Sequence, residues 1–139
     1  MDKSSKTDGK IHLPIPVETE KIGKQVLDAA FKVHTTLGPG LLESAYETCL
    51  VYELSIMGVK TQTQVPMPVI YDNQKINVGY RIDIFVEDCI IVELKAVENI
   101  LPLYKAQLLT YIKLSDVRLG YLLNFNVPKL KDGLNRMVL

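Results

Sequence analysis

Residues 76–97 read INVGYRIDIFVEDCIIVELKAV, and this stretch carries the strongest β-strand pattern in the sequence. Apolar residues recur at every second position from Ile76 to Val86, which is the pattern of a strand with one buried face. Glu87-Asp88 then turns the chain, and the residues that follow are apolar except for Glu93 and Lys95. We therefore expect two adjacent antiparallel strands.

Three charged side chains lie inside these apolar strands, namely Asp83, Glu93 and Lys95. Successive residues of a strand point to opposite faces of its sheet. The even-numbered positions, Ile82 and Leu94 among them, are apolar in both strands, so the three charged side chains share the odd-numbered face. Charges inside the two most apolar strands are not explained by a solvated surface, and we treat them as candidate site residues.

The turn between the strands decides which residues lie opposite each other. A three-residue turn at 87–89 places Ile84 opposite Val92, keeps the apolar faces together and sets Asp83 beside Glu93. Two opposed carboxylates repel each other unless a cation lies between them. A hard divalent cation with oxygen ligands, Mg²⁺ or Mn²⁺, fits this arrangement best.

Each of these charges also has an explanation that involves no active site. Glu93 and Lys95 can form an ion pair along one strand, and Asp83 can pair with Arg81. Glu43 lies in the first turn of a predicted helix, where the helix dipole favours a carboxylate. The residues alone leave both explanations open.

The rest of the chain supplies helices and further strands around this hairpin. Helical periodicity occurs at 19–37, with Thr19 as N-cap, and at 41–57 and 103–114. Strand patterns occur at 65–71 and 117–125. The last segment is a continuous apolar run, typical of a strand buried on both faces and parallel to its neighbour. The sequence thus predicts an α/β fold with a small mixed four-stranded sheet flanked by helices, in the order α-α-β-β-β-α-β.

Length and composition indicate one globular domain. The chain has 139 residues, of which 47% are apolar and 23% charged. We expect a flexible tail over residues 1–17 and a single domain over 18–139. No apolar run is long enough to span a membrane and no secretory signal is visible, which predicts a cytoplasmic protein. Sixteen basic residues balance sixteen acidic ones, so any contact with nucleic acid needs a local patch or a metal.

The order of the candidate residues resembles a known family. They are, along the chain, Glu43, Asp83, Glu93-Leu94-Lys95, Gln107 and Tyr111. This order is similar to the motifs of the PD-(D/E)XK nuclease superfamily in its RecB-like branch. The segment Gly40–Glu47, GLLESAYE, also resembles the GxxExxY family, which is placed in that superfamily. The likeness covers about residues 20–139, and Ile82 stands where the superfamily name has proline.

The resemblance implies a metal site. Asp83 and Glu93 would hold Mg²⁺ or Mn²⁺ together with the backbone carbonyl of Leu94. Glu43 would be a further ligand, either directly or through water. The cation would serve hydrolysis of a phosphodiester bond.

The resemblance also implies roles for three other residues. Lys95 would orient or help deprotonate the attacking water, and Gln107 and Tyr111 would support the site or contact the nucleic-acid backbone. The sequence therefore predicts a metal-dependent nuclease that acts on nucleic acid, with DNA as the expected substrate. The alternatives are a non-catalytic module that binds nucleic acid or protein on a nuclease fold, and a structural homo-oligomer. A homo-oligomer or a partner subunit is also compatible with a nuclease.

Overall fold

The computed structural model describes residues 13–139. Within this range the helices are α1 (Val17–Leu37), α2 (Glu43–Ile56) and α3 (Pro102–Leu114), and a short 3₁₀ helix covers Leu130–Gly133. Across these residues, no helix combines the length and the hydropathy needed to cross a bilayer.

Five strands form the main sheet in the order β1-β4-β5-β6-β7. They are β1 (Thr61–Pro66), β4 (Arg81–Val86), β5 (Ile90–Lys95), β6 (Leu119–Asn124) and β7 (Leu134–Val138). Among the strands of the described residues, β5 and β6 alone pair in parallel, as the sequence predicts, and α3 is the crossover between them. Two short strands, β2 (Val69–Tyr71) and β3 (Gln74–Ile76), form a separate antiparallel hairpin.

The sheet has a hydrophobic core on each face. The even-numbered side chains of β5 pack with α1 and α2, while Ile91 packs with Leu108 and Ile112 of α3. All six residues of β6 are buried because both faces of this strand are covered. The active-site candidates therefore lie in a three-layer arrangement, with helices on both sides of the sheet.

The helix boundaries differ from the prediction at their N-terminal ends. Thr19 is not the N-cap of α1, because the helix begins at Val17 directly after Pro16, whose ring fixes φ near the value a helix start requires. Gly38 ends this helix with φ of 68°, and its N–H donates to the carbonyl of His34. α2 begins at Glu43 rather than at residue 41.

Only part of the predicted tail over residues 1–17 can be compared with the structure. Residues 1–12 lie outside the described residues. The guanidinium of Arg118 donates hydrogen bonds to the carbonyls of Leu13 and Pro14, which places these two residues against the start of β6.

The predicted continuous strand from Ile76 to Val86 is wrong. β3 ends at Ile76 and β4 begins at Arg81, and between them Gly79 has a φ of 88°, outside the extended region. Val78 and Tyr80 in this gap are 55% and 46% exposed. The alternation there does not reflect burial, because the β2–β3 hairpin lies outside the main sheet.

The predicted first strand over 65–71 is also two elements, β1 and β2. Proline has no N–H to donate to a sheet, and β1 ends at Pro66. Met67 then donates its N–H to the carbonyl of Tyr80, which fixes the base of the hairpin.

The sheet has five strands instead of four because β7 extends it beyond β6. The loop before β7 passes so close to β6 that a Cβ atom at Gly133 would lie 2.1 Å from the carbonyl oxygen of Asn124. Only glycine fits this approach. β7 itself is five residues long with a weak alternation, so its pattern does not reveal it.

Candidate active site

The candidate site lies where β4 and β5 stop pairing. Val86 accepts the N–H of Cys89 in the turn, and Glu87 and Asp88 have φ of 48° and 53°. The register pairs Ile84 with Val92, which confirms the three-residue turn. Regular pairing ends at this pair, one residue before Asp83 and Glu93.

The two acidic side chains replace the missing ladder hydrogen bonds. Glu93 Oε2 accepts the backbone N–H of Asp83 at 2.9 Å, and Asp83 Oδ2 accepts the backbone N–H of Leu94 at 2.8 Å. Each carboxylate is therefore held by the backbone of the other strand. The structure brings Asp83 and Glu93 together without any direct bond between their carboxyl groups.

The strand alternation breaks at Asp83. The expectation that Ile82 and Leu94 share a face is wrong, because Ile82 packs on the α3 side and Leu94 on the α1–α2 side. Gln64, across from Asp83 on β1, has a φ of 52°, which is a strained conformation for a residue other than glycine and costs about 1–3 kcal/mol. This irregularity lets Asp83 lie between the strands.

Gln64 and Glu47 extend the site toward α2, and sequence reasoning missed both. The Gln64 amide donates to Glu47 Oε1 at 2.8 Å and to Asp83 Oδ1 at 3.4 Å. Glu47 lies four residues after Glu43 and hence on the same helix face, a spacing that could have identified it. Gln64 carries no comparable signal in the sequence.

Glu43 lies at the end of β5 rather than between the two strands. Its Oε2 accepts the backbone N–H of Ala96 at 3.2 Å. Its negative charge raises the pKa of Glu93 and Glu47, so it belongs to the same electrostatic cluster. The structure thus brings Glu43 to the rim of the site from α2.

Three carboxyl groups of the site, those of Glu93, Asp83 and Glu47, bind protons more tightly than usual. Glu93 is 6% exposed, and its burial together with the charge of Asp83 raises its pKa to about 8. Burial also raises the pKa of Asp83 against the opposing effects of the Leu94 N–H, Gln64 and Lys95, and burial raises that of Glu47. Burial is the largest cause of all three shifts, so the site disfavours charged carboxylates as long as no cation is bound.

Lys95 supplies a positive charge without forming a close ion pair. Its Nζ lies 4.3 Å from the centroid of the Tyr104 ring. Its positive charge opposes, but does not cancel, the rise in the pKa of Asp83 and Glu93 that burial causes. The ion pairs found within residues 13–139 include neither Glu93–Lys95 nor Asp83–Arg81. Arg81 instead donates to the carbonyl of Gln64. The explanation by two ordinary ion pairs does not hold here.

The two candidates on α3 lie in different surroundings. Tyr111 is buried, and its burial together with the charge of Glu93 raises its pKa to about 12. Gln107 lies beside Tyr111 in an apolar groove, and the side-chain hydrogen bonds described for residues 13–139 include none between Gln107 and the carboxylates. Tyr111 is therefore coupled to the acidic pair electrostatically.

Asn124 fixes the segment that follows Lys95, and the sequence analysis did not identify it. Its buried side-chain amide accepts the N–H of Val97 at 3.1 Å and donates to the Val97 carbonyl at 2.9 Å. Phe125 also donates its N–H to the carbonyl of Lys95. A polar residue at the end of a strand buried on both faces is the signal that could have found it.

A model of the PD-(D/E)XK nuclease superfamily matches residues 20–137. The chain belongs to this superfamily. No curated protein and no solved structure matches the chain. The assignments to the GxxExxY family and to the RecB-like branch stay predictions.

PD-(D/E)XK nucleases generally use divalent metal ions, and the donor set of this chain fits one. Asp83 and Glu93 each use one oxygen for a backbone N–H. The second oxygen of Asp83 accepts the long 3.4 Å bond from the Gln64 amide, which a cation could displace. Within residues 13–139, no three His, Cys, Asp or Glu side chains converge on one ion site. Mg²⁺ usually keeps several waters and binds through one or two carboxylates, so a pair is sufficient.

The raised pKa of Glu93 predicts how the stability of this PD-(D/E)XK protein depends on pH. The folded state holds the proton up to about pH 8, whereas the unfolded chain releases it near the ordinary value of 4.5. The free energy of unfolding in EDTA should therefore fall as pH rises between these values, because the folded state binds more protons there. Urea denaturation across this range measures the fall.

The same measurement on two variants isolates Glu93. Glu93→Gln should flatten the decline, whereas Glu98→Gln, on the exposed loop after β5, should leave it unchanged. Parallel pH profiles for the wild type and Glu93→Gln would contradict the assignment.

Proposed function

We propose that this protein is a divalent-metal-dependent nuclease that hydrolyses phosphodiester bonds of nucleic acid, with DNA as its substrate. The observation that carries the proposal is the Asp83–Glu93 pair at the split between β4 and β5, in which Glu93 is buried and Asp83 half-buried, with Lys95 beside it. Membership of the PD-(D/E)XK superfamily supports the reaction class. The choice of DNA rests on the resemblance alone.

Asp83 and Glu93 would hold Mg²⁺ or Mn²⁺ in this proposal. The Leu94 carbonyl and water would complete the ligands, and Glu43 would take part directly or through water from its position at Ala96. When bound, such an ion polarises the phosphate and lowers the pKa of a bound water. Glu93 must release its proton to bind a cation, and its pKa of about 8 places this release close to neutral pH.

Lys95 would act on the attacking water and on the phosphate. Its ammonium group is held over Tyr104, close enough to the carboxylates to shift their pKa values. A fixed positive charge in this place stabilises the negative charge that develops on the phosphate in the transition state. The backbone around Lys95 is fixed by Phe125 and Asn124, so the charge needs little reorganisation.

The proposal also includes the assignments to the GxxExxY family and to the RecB-like branch. The segment Gly40–Glu47 supports the GxxExxY family, and the spacing of Gln107 and Tyr111 supports the RecB-like branch. A non-catalytic binding module is the alternative, which the zero net charge of the chain favours. The complete set of Asp83, Glu93 and Lys95 favours the nuclease, because a binding module does not need all three.

Magnesium should stabilise the folded protein through the acidic pair. A ligand that binds only the folded state raises its free energy of unfolding, so millimolar Mg²⁺ should raise the melting temperature at pH 8. Asp83→Asn should abolish this rise while it keeps the acceptor for the Leu94 N–H and leaves the metal-free protein at least as stable. Differential scanning fluorimetry measures both effects.

The matched control for this experiment is Asp132→Asn, at an exposed position of the 3₁₀ helix. It should keep the full response to Mg²⁺. A wild-type melting temperature that does not respond to millimolar Mg²⁺ or Mn²⁺ would count against the metal site.

Lys95→Ala separates the enzyme from a binding module. Cleavage of DNA with Mg²⁺ should fall by roughly 10²- to 10³-fold, the size expected when one transition-state contact is lost. The stabilisation by Mg²⁺ should persist, since Lys95 is not a metal ligand. The measurement is a gel assay on single- and double-stranded DNA with Mg²⁺, Mn²⁺ or EDTA.

Lys131→Ala, whose side chain is exposed in the 3₁₀ helix, serves as the control and should cleave like the wild type. If the wild type cleaves neither DNA nor RNA with either metal, the nuclease proposal fails and the binding module replaces it.

A further inference from the structure

An apolar groove of about 400 Å³ opens beside the active site, between α3 and the segment that carries the β2–β3 hairpin. The side chains that define it are Met67, Val69, Tyr80, Leu103, Gln107 and Tyr111. Leu103 is 71% exposed and Tyr80 is 46% exposed. Large apolar side chains that face solvent around a groove are typical of a binding surface.

The groove suits a flat, uncharged group better than a phosphate. Among the described residues, no charged side chain lines it. The rings of Tyr80 and Tyr111 lie 6.4 Å apart in an edge-to-face arrangement, and Tyr80 presents part of its ring to solvent. The Gln107 amide adds both a hydrogen-bond donor and an acceptor. Aromatic rings with an adaptable amide are the groups that proteins use to hold unstacked nucleobases.

The groove is continuous with the catalytic cluster. Tyr111 lines the groove and packs in the same apolar cluster as Tyr104, whose ring lies 4.3 Å from Lys95 Nζ. Leu103, the residue before Tyr104 on α3, also lines the groove. If a phosphate binds at Lys95 and the carboxylates, the nucleoside attached to it would therefore reach the groove.

We propose that this groove binds one unpaired nucleobase next to the cleaved phosphate, so that the substrate is single-stranded or locally unpaired nucleic acid. The inference rests on the proposed nuclease function and narrows its substrate class. In a duplex the bases are stacked and paired, and a base must leave the stack before it can enter such a groove. Single strands present their bases without that cost.

The test measures binding without cleavage, by fluorescence anisotropy in EDTA. The probes are a labelled mixed-sequence single-stranded DNA oligonucleotide, its duplex, and an abasic strand with the same sugar–phosphate backbone. The variants are Tyr80→Leu, which keeps an apolar side chain, and Tyr52→Leu, on the exposed outer side of α2. Equal melting temperatures verify that both variants fold.

The base-containing single strand should bind more tightly than the duplex and the abasic strand. Tyr80→Leu should weaken its binding by about fivefold or more, the effect of losing one base–aromatic stack. Binding of the abasic strand should not change, and Tyr52→Leu should bind like the wild type. In cleavage assays with Mg²⁺, the wild type should prefer the single strand.

The outcomes separate this inference from the nuclease proposal. Equal binding of base-containing and abasic strands, or equal affinities of the two tyrosine variants, would overturn the groove even if cleavage is observed. Base-dependent binding that Tyr80→Leu weakens, without cleavage by the wild type, would support the groove and overturn the nuclease. A dimer that Tyr80→Leu dissociates would also overturn the groove, because the surface would then belong to a second copy.

Discussion

Two reciprocal hydrogen bonds join β4 to β5 at the candidate site: the Asp83 N–H donates to Glu93, and the Leu94 N–H donates to Asp83. They form where the β4–β5 ladder ends, so two backbone donors that would otherwise lack partners are satisfied by acidic side chains. The same bonds keep both carboxyl groups inside the sheet, where burial favours their protonated forms. The local structure and the protonation of the site therefore depend on the same pair of side chains.

The surrounding charges make this pair responsive to a cation. Glu43 and Glu47 on α2 add negative charge, and Lys95 balances only part of it. A divalent cation would remove the repulsion and release the proton of Glu93. The neutral chain thus has no need of a large basic surface, because the metal and Lys95 would supply the local positive charge for a phosphate.

The sequence predicts the hairpin register because only one turn length keeps Ile84 and Val92 on the same buried face, and it predicts the acidic pair through that register. It fails where local pattern and burial diverge. The alternation over Val78 and Tyr80 predicts a strand, but no neighbouring strand pairs with these residues in the structure. The strained backbone of Gln64 depends on contacts from distant parts of the chain, and no local pattern encodes it.

The most direct test is a ¹³C NMR titration of the Glu93 side-chain carboxyl carbon in the folded protein, with and without Mg²⁺. The account predicts a pKa of about 8 without metal and a clearly lower pKa with millimolar Mg²⁺. Assignment by comparison with Glu93→Gln makes the signal unambiguous. A carboxyl group that titrates near the ordinary value of 4.5 and does not respond to Mg²⁺ would contradict the account.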